Sequence, residues 1–336
     1  MFKTFQIAYA LGIIFISINF LNAEGQAIFS FLNVTPTSRA AALGESFVGV
    51  AEGPESVLYN VAGLSEIRSK NIFFQSDVPP LIEEIRQNHF IYVHPLQKGS
   101  WSVDLGGLQA GGFTRTVADA STTDGYRETG KFSTYDMNFS FALSRKLNDS
   151  FSIGMKASFL RESLSDAVAN GVGFDSGLIY KDNQFPVQWG LSIQNVGPKV
   201  KFKDESFSMP TVVRTGIMIV QPVGSFIPII PEKSLFTAEV YKPFYGDISL
   251  RGGVELSLFS DSFKLRSGYR YQTKKTELGS QFNIPNGITM GFGFPVKNCQ
   301  FDFATISMGE LGFSHRISIS IHWGSKQNRG SDTFIN

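Results

Sequence analysis

Cysteine, charge and long apolar runs are all scarce in this sequence. The single Cys299 excludes an internal disulfide and supplies no metal-binding pair. Charged residues make up 18% of the 336 residues, and 30 basic against 29 acidic side chains give no net field that would attract nucleic acid. Beyond residue 23, no apolar run reaches the roughly 18 residues that suggest a membrane helix. These absences disfavour a disulfide-rich domain, a nucleic-acid-binding protein and a helical membrane protein.

Catalytic and metal-binding motifs are missing as well. The four histidines, His89, His94, His315 and His322, show no metal-ligand spacing, and no P-loop, GxSxG or HExxH motif occurs. Ser314 and His315 are neighbours in a predicted strand, so their side chains point to opposite faces, which is a poor geometry for a nucleophile and its base. The sequence predicts no catalytic residues, no metal site and no cofactor.

Residues 1–23 have the composition of a secretory signal peptide. Lys3 provides a short basic start, residues 7–18 form an apolar run, and Ala23 is a small residue at a cleavage position. A membrane anchor is the alternative, but the apolar run is too short to favour it. We expect cleavage after Ala23.

The stretch YDMNFSFALSRKLNDSFSIGMKASF, residues 135–159, reads as two strands around a polar turn. Successive side chains of a strand point to opposite faces, so residues of one parity share one surface. The large apolar side chains all fall on one parity, namely Tyr135, Met137, Phe139, Phe141, Leu143, Phe151, Ile153, Met155 and Phe159. A soluble sandwich would give the same alternation, so the choice between a core and lipid needs the rest of the chain.

From residue 69 onward the sequence shows fourteen strand candidates. They lie near 70–76, 88–95, 100–116, 131–145, 150–163, 167–181, 186–203, 209–222, 233–242, 246–258, 262–273, 286–296, 299–307 and 311–323. Links after even-numbered strands are mostly short, whereas residues 117–130 and 273–285, after odd-numbered strands, are long and polar. Residues 223–234 are a long exception on the short side. This alternation is typical of outer-membrane barrels, with short periplasmic turns and longer external loops.

A sheet can cross lipid only if it closes on itself, because an unpaired backbone group costs several kcal/mol there. We therefore predict an all-β protein, a transmembrane antiparallel β-barrel of about 14 strands over residues 69–323, in the outer membrane of a Gram-negative-type bacterium. Its phenylalanine-rich face would contact outer-membrane lipid, and its small and charged residues would line the lumen.

Strand parity also predicts which charged side chains face the lumen. They are Asp136, Lys156, Asp175, Arg214, Glu239, Arg251, Glu255, Lys264, Arg266, Arg270, Asp302 and Arg316. We expect them to pair across strands and to fill a closed lumen, since buried charges need partners. The alternative is a path for anionic or amphiphilic solutes.

Residues 24–68 differ from the rest because they contain helix-forming patches at 39–43 and 55–59, broken by glycine and proline. This composition predicts a partly helical hatch or plug inside or under the barrel. Asn60 would fix its turn, because asparagine side chains bond their own backbone in turns. A disordered periplasmic arm is the alternative. Residues 324–336 form a polar C-terminal tail.

Several segments resemble the PorV/PorQ family of outer-membrane proteins, which is related to the FadL-type fourteen-stranded barrels. The segments are FLNVTPTSRAAALGESFVGVAEGPESVLYNVAGLSEI, GLSIQNVGPKVKF, SMPTVVRTGIMI and GELGFSHRISISIHW. The family commonly carries Asn-Pro-Ala-Gly-Leu, similar to the hatch motif of FadL-type transporters. Here Asn60, Ala62, Gly63 and Leu64 match it, with Val61 where the proline would stand.

The resemblance implies three different functions. The leading expectation is a non-enzymatic role in type IX-like protein export or surface attachment, with secretion-system components or secreted proteins as partners. The alternative is a FadL-like uptake channel for hydrophobic or amphiphilic small molecules. A lipopolysaccharide deacylase is the third, and the missing acyl-transfer motif disfavours it.

Overall fold

The computed structural model describes residues 27–34, 37–78, 84–221, 231–272, 287–307 and 312–324. The predicted signal peptide, the polar link 273–285 and all of the predicted tail except Gly324 lie outside these residues. Within them the chain is mostly β-strand, and no helix is both long and apolar enough to cross a membrane.

Fourteen strands form a closed antiparallel barrel, and two short strands form a separate hairpin. The barrel strands are β1 (Lys70–Val78), β2 (Glu84–Leu96), β3 (Gly99–Ala118), β4 (Tyr126–Lys146), β5 (Phe151–Leu164), β6 (Ala167–Lys181), β7 (Val187–Val196), β10 (Val212–Val220), β11 (Leu235–Pro243), β12 (Ser249–Leu258), β13 (Phe263–Gln272), β14 (Ile288–Val296), β15 (Cys299–Ser307) and β16 (Phe313–Trp323). The hairpin consists of β8 (Val200–Phe202) and β9 (Glu205–Phe207).

The barrel closes where β1 pairs with β16, from Lys70 opposite Trp323 to Val78 opposite His315. All other barrel neighbours are also antiparallel, and they follow chain order except where the β8–β9 hairpin intervenes between β7 and β10. The predicted fold class, a transmembrane antiparallel barrel of about 14 strands, is therefore confirmed.

Two predicted elements differ from the structure. The candidate strand 186–203 is divided into β7 and β8, because Asn195 takes a left-handed backbone conformation with φ 58° and Pro198 cannot donate to a ladder. The predicted long loop 117–130 is largely strand, since β3 continues to Ala118 and β4 begins at Tyr126. The side chain of Asp119 accepts a hydrogen bond from the Ser121 amide at 3.0 Å, which holds the turn short.

The two faces of the strands separate as their parity predicts. In β4, Met137 and Phe139 are 59% and 50% exposed on the outer face, whereas Asn138 and Ser140 are 5% and 1% exposed on the lumen face. An apolar outer belt on a closed barrel is the arrangement that a lipid environment requires. The protein therefore has the fold of an outer-membrane barrel, and the outer membrane is its location.

At one end of the barrel the described turns 97–98, 147–150, 182–186, 259–262 and 297–298 are all short, whereas at the other end only 165–166 is as short as two residues and 119–125 and 197–211 are longer. In the turn between β6 and β7, the amides of Gln184 and Phe185 donate to Asp182 at 2.8 and 2.9 Å, and these bonds lower the pKa of its carboxyl below the ordinary value. Short turns face the periplasm in outer-membrane barrels, so we call this the periplasmic end and the opposite end the extracellular end.

The chain before β1 lies inside the barrel. This N-terminal segment, described at 27–34 and 37–67, contains 3-10 helices at Ser30–Asn33, Pro54–Leu58 and Val61–Glu66 and one α-helix, α1, at Ser38–Ala42. Gly44, just beyond the end of α1, and Gly53, just before the helix at Pro54–Leu58, both have positive φ angles, 65° and 73°, that a helix does not continue through. Residues 27–34 lie toward the extracellular end, where the Ile28 amide donates to the Ser208 carbonyl at 3.1 Å.

Candidate functional site

Asn60 ties the N-terminal segment to the barrel wall. Its side-chain amide donates to the carbonyls of Val48 and Leu178, each at 3.1 Å, and its carbonyl oxygen accepts from the Ala62 amide at 3.2 Å. Asn60 is fully buried and begins the 3-10 helix that contains Ala62, Gly63 and Leu64. The four residues predicted as a hatch motif therefore lie in one turn, in which the Asn60 side chain joins two parts of the segment and strand β6.

The wall strands provide room for this turn through glycines. A Cβ at Gly177 would lie 2.1 Å from the Asn60 side-chain oxygen, and one at Gly190 would lie 2.0 Å from the Val48 carbonyl oxygen. Within the segment, a Cβ at Gly63 would lie 1.9 Å from the Ala51 carbonyl oxygen. No side chain fits at these distances, so glycine is required for the backbones to approach each other.

Two further wall amides bind the same side of the segment. Gln188 on β7 donates to the carbonyls of Gly49 and Val50 at 2.8 and 3.1 Å, and Gln194 donates to the Leu58 carbonyl at 3.0 Å. We name the contacts of Asn60, Gln188 and Gln194 the amide face.

The opposite side of the segment is held by ion pairs. Arg39 Nε lies 3.0 Å from Glu255 Oε2, and Arg266 Nε lies 2.6 Å from the same oxygen. Arg266 also lies 2.6 Å from Asp302. A chain of alternating charges thus crosses from α1 to β12, β13 and β15.

A second group of ion pairs surrounds Glu45. Arg251 lies 3.1 Å from Glu45 Oε2, and Arg270 pairs with the other oxygen. We name the contacts of Arg39 and Glu45 with the wall, together with those that Glu239 makes with the segment's backbone, the charged face.

Glu239 completes the charged face by binding the segment's backbone. It accepts from the amides of Phe47 and Val48 at 2.8 and 2.9 Å, and it pairs with Arg214 at 3.4 Å. The Arg214 guanidinium lies 4.7 Å from the ring centroid of Tyr241, so cation–π attraction adds to the pairing.

The other predicted lumen charges lie elsewhere. Lys156 pairs with Asp175 at 2.7 Å, and Arg316 pairs with Asp77 at 3.2 Å. Lys264 binds Asp261 at 2.8 Å near a periplasmic turn.

Asp136 is half-buried, and its Oδ1 has no hydrogen-bond partner among the described residues. Nine of the twelve predicted charges are buried: Lys156, Asp175, Arg214, Glu239, Arg251, Glu255, Arg266, Asp302 and Arg316. Most of the set therefore serves ion pairs within a filled lumen.

Strand parity could not identify the partners that come from the N-terminal segment. Arg39, Glu45 and the buried Glu55 lie outside any repeating pattern, so nothing in the sequence indicated which wall residues they meet. Asp104, in contrast, shares its parity with Ser100 and Ser102 and could have been found by that signal.

Asp104 is fully buried and organises a polar cluster on the lumen face of β2–β4. It lies 3.0 Å from His89 Nδ1 and accepts hydrogen bonds from Asn138 and Ser140. Among the described residues, no group of three or more His, Cys, Asp or Glu side chains could hold a metal ion.

A cavity of about 40 Å³ lies between this cluster and the segment. Its polar wall comes from the barrel and its apolar wall mainly from the segment; the lining includes Gln87, His89, Asn138, Lys156, Asp175, Gln194, Arg214, Phe31, Leu32, Val34, Leu58 and Tyr59. The side-chain oxygens of Gln87 and Asn138 have no hydrogen-bond partner among the described residues. The cavity therefore offers unsatisfied acceptors on one side and hydrocarbon on the other.

An apolar cluster lies on the extracellular side of the cavity. It joins the segment to β5, β6 and the β8–β9 hairpin through Ile28, Phe29, Phe31, Leu160, Ala169, Val200 and Met209. The Phe29 amide donates to Glu162 at 2.7 Å, which fixes the segment beneath the hairpin. Phe31 belongs to both the cluster and the cavity wall, so the two are continuous.

Known proteins resemble this chain in structure. No protein-family model and no curated protein sequence matches it. The CymD monoaromatic hydrocarbon channel superposes with a TM-score of 0.57 at 10% identity, covering 86% of this chain and 98% of the other. The Pseudomonas putida toluene transporter TodX gives 0.55 at 14%, covering 90% and 98%. The Ralstonia pickettii toluene transporter TbuX gives 0.53 at 14%, covering 91% and 100%.

These likenesses show the fold, a FadL-like fourteen-stranded outer-membrane barrel. They agree with the FadL-type barrel fold that the sequence resemblance implied, and they give no support to the PorV/PorQ assignment. Identities of 10–14% do not transfer substrates or binding residues to this chain.

Proposed function

We propose that this protein lets hydrophobic or amphiphilic small molecules cross the outer membrane, and that its N-terminal segment is the gate. The observation that carries the proposal is the apolar cluster at the extracellular end, which is continuous with a cavity lined by unpaired acceptors. The apolar part of a solute would replace Phe29 and Phe31 in the cluster, and a polar group would reach the cavity. The hydrocarbon and toluene channels with the same fold support this reading.

The segment must move for any solute to pass. The cavity holds about 40 Å³, whereas pockets for small molecules span roughly 300–1,000 Å³. Residues 37–67 contact the barrel wall closely on both the amide face and the charged face. In our proposal this arrangement is the closed state, and opening requires the segment to leave one or both faces.

Uptake by intact cells tests the proposal. A Gram-negative host without a channel of this fold would express the protein, and accumulation of labelled toluene, dodecanoate and sucrose would be measured. We expect faster accumulation of toluene or dodecanoate but not of sucrose. Phe29→Asp should abolish most of the gain, whereas Phe113→Asp, on the exposed part of β3, should not. Rates equal to those of the empty host for both apolar probes would contradict the proposal.

The gate itself is tested by deleting residues 28–66. The truncated barrel should conduct ions in planar bilayers and admit sucrose into liposomes, while it keeps its heat-modifiable migration on gels. If the truncated and full-length proteins conduct alike, or if protease readily removes the segment from the folded full-length protein, the segment is not a gate.

Protein export or surface attachment is the second candidate. The observation that favours it is the β3–β4 hairpin, whose residues 113–118 and 126–132 have no strand partner among the described residues except each other, beyond the ends of β2 and β5. Such a projecting hairpin offers an exposed surface to a protein partner. Comparing the released proteins of cells with and without the gene would detect this role, which would leave small-molecule uptake unchanged.

We propose no enzymatic activity. His89 and Asp104 form a buried pair, but no hydrogen bond among the described residues joins a serine or threonine hydroxyl to a histidine ring. An acyl-transfer site needs that contact between nucleophile and base. A lipopolysaccharide deacylase would therefore need a rearranged site.

A further inference from the structure

Two arginines stand on the lipid-facing side of the barrel at its extracellular end. Arg161 on β5 shares its parity with Phe159, and Arg86 on β2 shares its parity with Phe90, so both point outward. Both arginines are exposed, and neither forms an ion pair or hydrogen bond with the described residues. Charged side chains on this face are costly within the apolar belt, so their position relative to the membrane boundary decides their role.

The strand register places them at that boundary. Arg161 lies in the row Asn88, Gly107, Met137, Arg161 and Asn170, and Arg86 lies in the next row outward with Gln109, Tyr135, Ser163 and Val168. Immediately below come Phe90, Leu105, Phe139, Phe159 and Val172. Both rows lack carboxylates, so the guanidiniums face lipid without an anionic neighbour in either row.

Arg145, at the periplasmic end of the same outer face, allows the height of the apolar belt to be estimated. On the same face, Arg145 lies opposite Gly99, whereas the row of Arg161 passes through Gly107. Eight residues of β3 span roughly 27 Å along the strand at about 3.4 Å per residue. After a tilt of about 40° this is roughly 20 Å along the barrel axis, close to the apolar height of about 25 Å. Arg145 and Arg161 therefore mark the periplasmic and extracellular interfaces of one belt.

We propose that Arg86 and Arg161 bind the phosphates of the outer leaflet's own glycolipid, lipid A. Three strand spacings of about 4.8 Å separate β2 from β5, and the two rows are two residues apart along the strand, so the Cα atoms of the two arginines lie roughly 16 Å apart across the surface. Two separated cations suit a disaccharide headgroup with a phosphate at each end better than a single phosphodiester. The phenylalanine row beneath would contact its acyl chains, and the polar outer face of β4, including the exposed Lys131, continues above the site.

This site differs from the lumen and from the gate, because it lies on the other face of the wall. Arginine suits phosphate through its forked pairs of donors. Each cation near a charged membrane surface contributes about a fivefold gain in binding, equivalent to about 1 kcal/mol. Loss of both should therefore reduce lipid A binding by about 25-fold.

The test uses the full-length protein in detergent with defined lipids added, and native mass spectrometry reads the bound lipid. Wild type should retain bisphosphorylated lipid A in preference to its dephosphorylated form and to phosphatidylglycerol. Arg86→Gln combined with Arg161→Gln should lose about 25-fold in lipid A binding, and the double Arg→Lys variant, which keeps both charges but loses the forked donors, should show an intermediate loss. Arg145→Gln, at the periplasmic interface, is the matched control and should bind as wild type does.

Three results would overturn the site. These are equal lipid A binding by wild type and the double glutamine variant, equal loss in Arg145→Gln, or equal retention of phosphatidylglycerol and lipid A by wild type. Heat-modifiable migration of each sample reports folding separately. If the double glutamine variant fails to fold, the test is the binding of dephosphorylated lipid A by wild type. If wild type binds this lipid as well as it binds lipid A, the protein has no phosphate site.

Discussion

The amide face and the charged face hold the same N-terminal segment by different interactions, neutral hydrogen bonds on one and buried ion pairs on the other. On the amide face, Asn60, Gln188 and Gln194 are neutral and each meets a backbone carbonyl at about 3 Å. On the charged face, buried carboxylates and guanidiniums pair with each other. Both faces depend on wall glycines, since a Cβ at Gly268 would lie 2.1 Å from the Gly44 nitrogen, much as Gly177 admits Asn60.

The difference has a consequence for opening. Buried ion pairs recover little more than their desolvation cost, yet loss of one partner is expensive because it leaves an unpaired charge. Neutral amide bonds contribute modestly and depend on fit. The charged face should therefore tolerate no single substitution that leaves a charge, whereas the amide face should open by small displacement. A solute arriving from the apolar cluster meets the amide side first, because that cluster is built on β5 and β6.

The largest effect should come from Gly177→Val. The added Cβ would lie 2.1 Å from the Asn60 side-chain oxygen and 3.2 Å from the Ala62 amide nitrogen, so the Asn60 side chain must give up its hydrogen bonds and the turn must shift away from the wall. We expect a folded barrel with a displaced segment, in which trypsin cleaves at Arg39 in lipid vesicles. Wild type should resist this cleavage, because α1 is buried apart from a partly exposed Arg39.

Gly252→Val is the matched control. Gly252 lies on the barrel wall, but the nearest atom to its added Cβ is the Thr237 oxygen at 3.5 Å, an ordinary contact. This variant should remain protected from trypsin. Equal cleavage of the two variants would mean that valine in any strand loosens the segment. The close approach at Gly177 would then not be what holds the segment against the wall.

The second effect tests the charged face through Arg266→Met. Arg266 is 2% exposed at its side chain and bridges Glu255 and Asp302, so its loss leaves two buried carboxylates with fewer partners. We expect a loss of about 3–5 kcal/mol in the free energy of unfolding, measured by guanidinium titration in vesicles. Arg68→Met removes a half-exposed pair with Glu66 at 3.9 Å and should cost at most about 1 kcal/mol. Similar costs for the two would show that the charged face is solvated.

The sequence predicted the wall better than the segment. Period-two alternation identifies both faces of a strand, so Phe139 and Asn138 could be assigned to lipid and lumen without a structure. The same rule placed the buried Arg214 and Glu239 on the lumen face. It could not pair Glu45 with Arg251, because contact between a non-repeating segment and a wall strand depends on the threading of the whole chain. The β8–β9 hairpin was missed for a local reason, the left-handed turn at Asn195.

The third effect tests the amide face through Asn60→Ala. Alanine leaves the buried carbonyl of Val48 and the partly buried carbonyl of Leu178 without this donor, at a cost of about 1–3 kcal/mol for each group that stays unsatisfied. We expect a total near 3 kcal/mol and partial cleavage at Arg39, less than in Gly177→Val. Asn183→Ala, which removes an exposed bond to Ser150, should leave stability within about 0.5 kcal/mol of wild type. Full protection of Asn60→Ala from trypsin would show that the glycines alone hold this face.

The smallest effect concerns the one ion pair beside the amide face, Lys156 with Asp175. Lys156 also donates to the Val57 carbonyl at 3.3 Å, so it links β5 to the segment. In Lys156→Met, Asp175 would keep the hydrogen bond from the Asn195 amide at 2.8 Å, and the adjoining cavity of about 40 Å³ has room for a water. Because the carboxylate keeps these partners, we expect a cost of about 1–2 kcal/mol, below the usual range for a broken buried pair. The measurement is the same guanidinium titration as for Arg266→Met. A cost as large as that of Arg266→Met would mean that no water enters the cavity beside Asp175. The cavity would then be a poor binding place for the polar group of a solute.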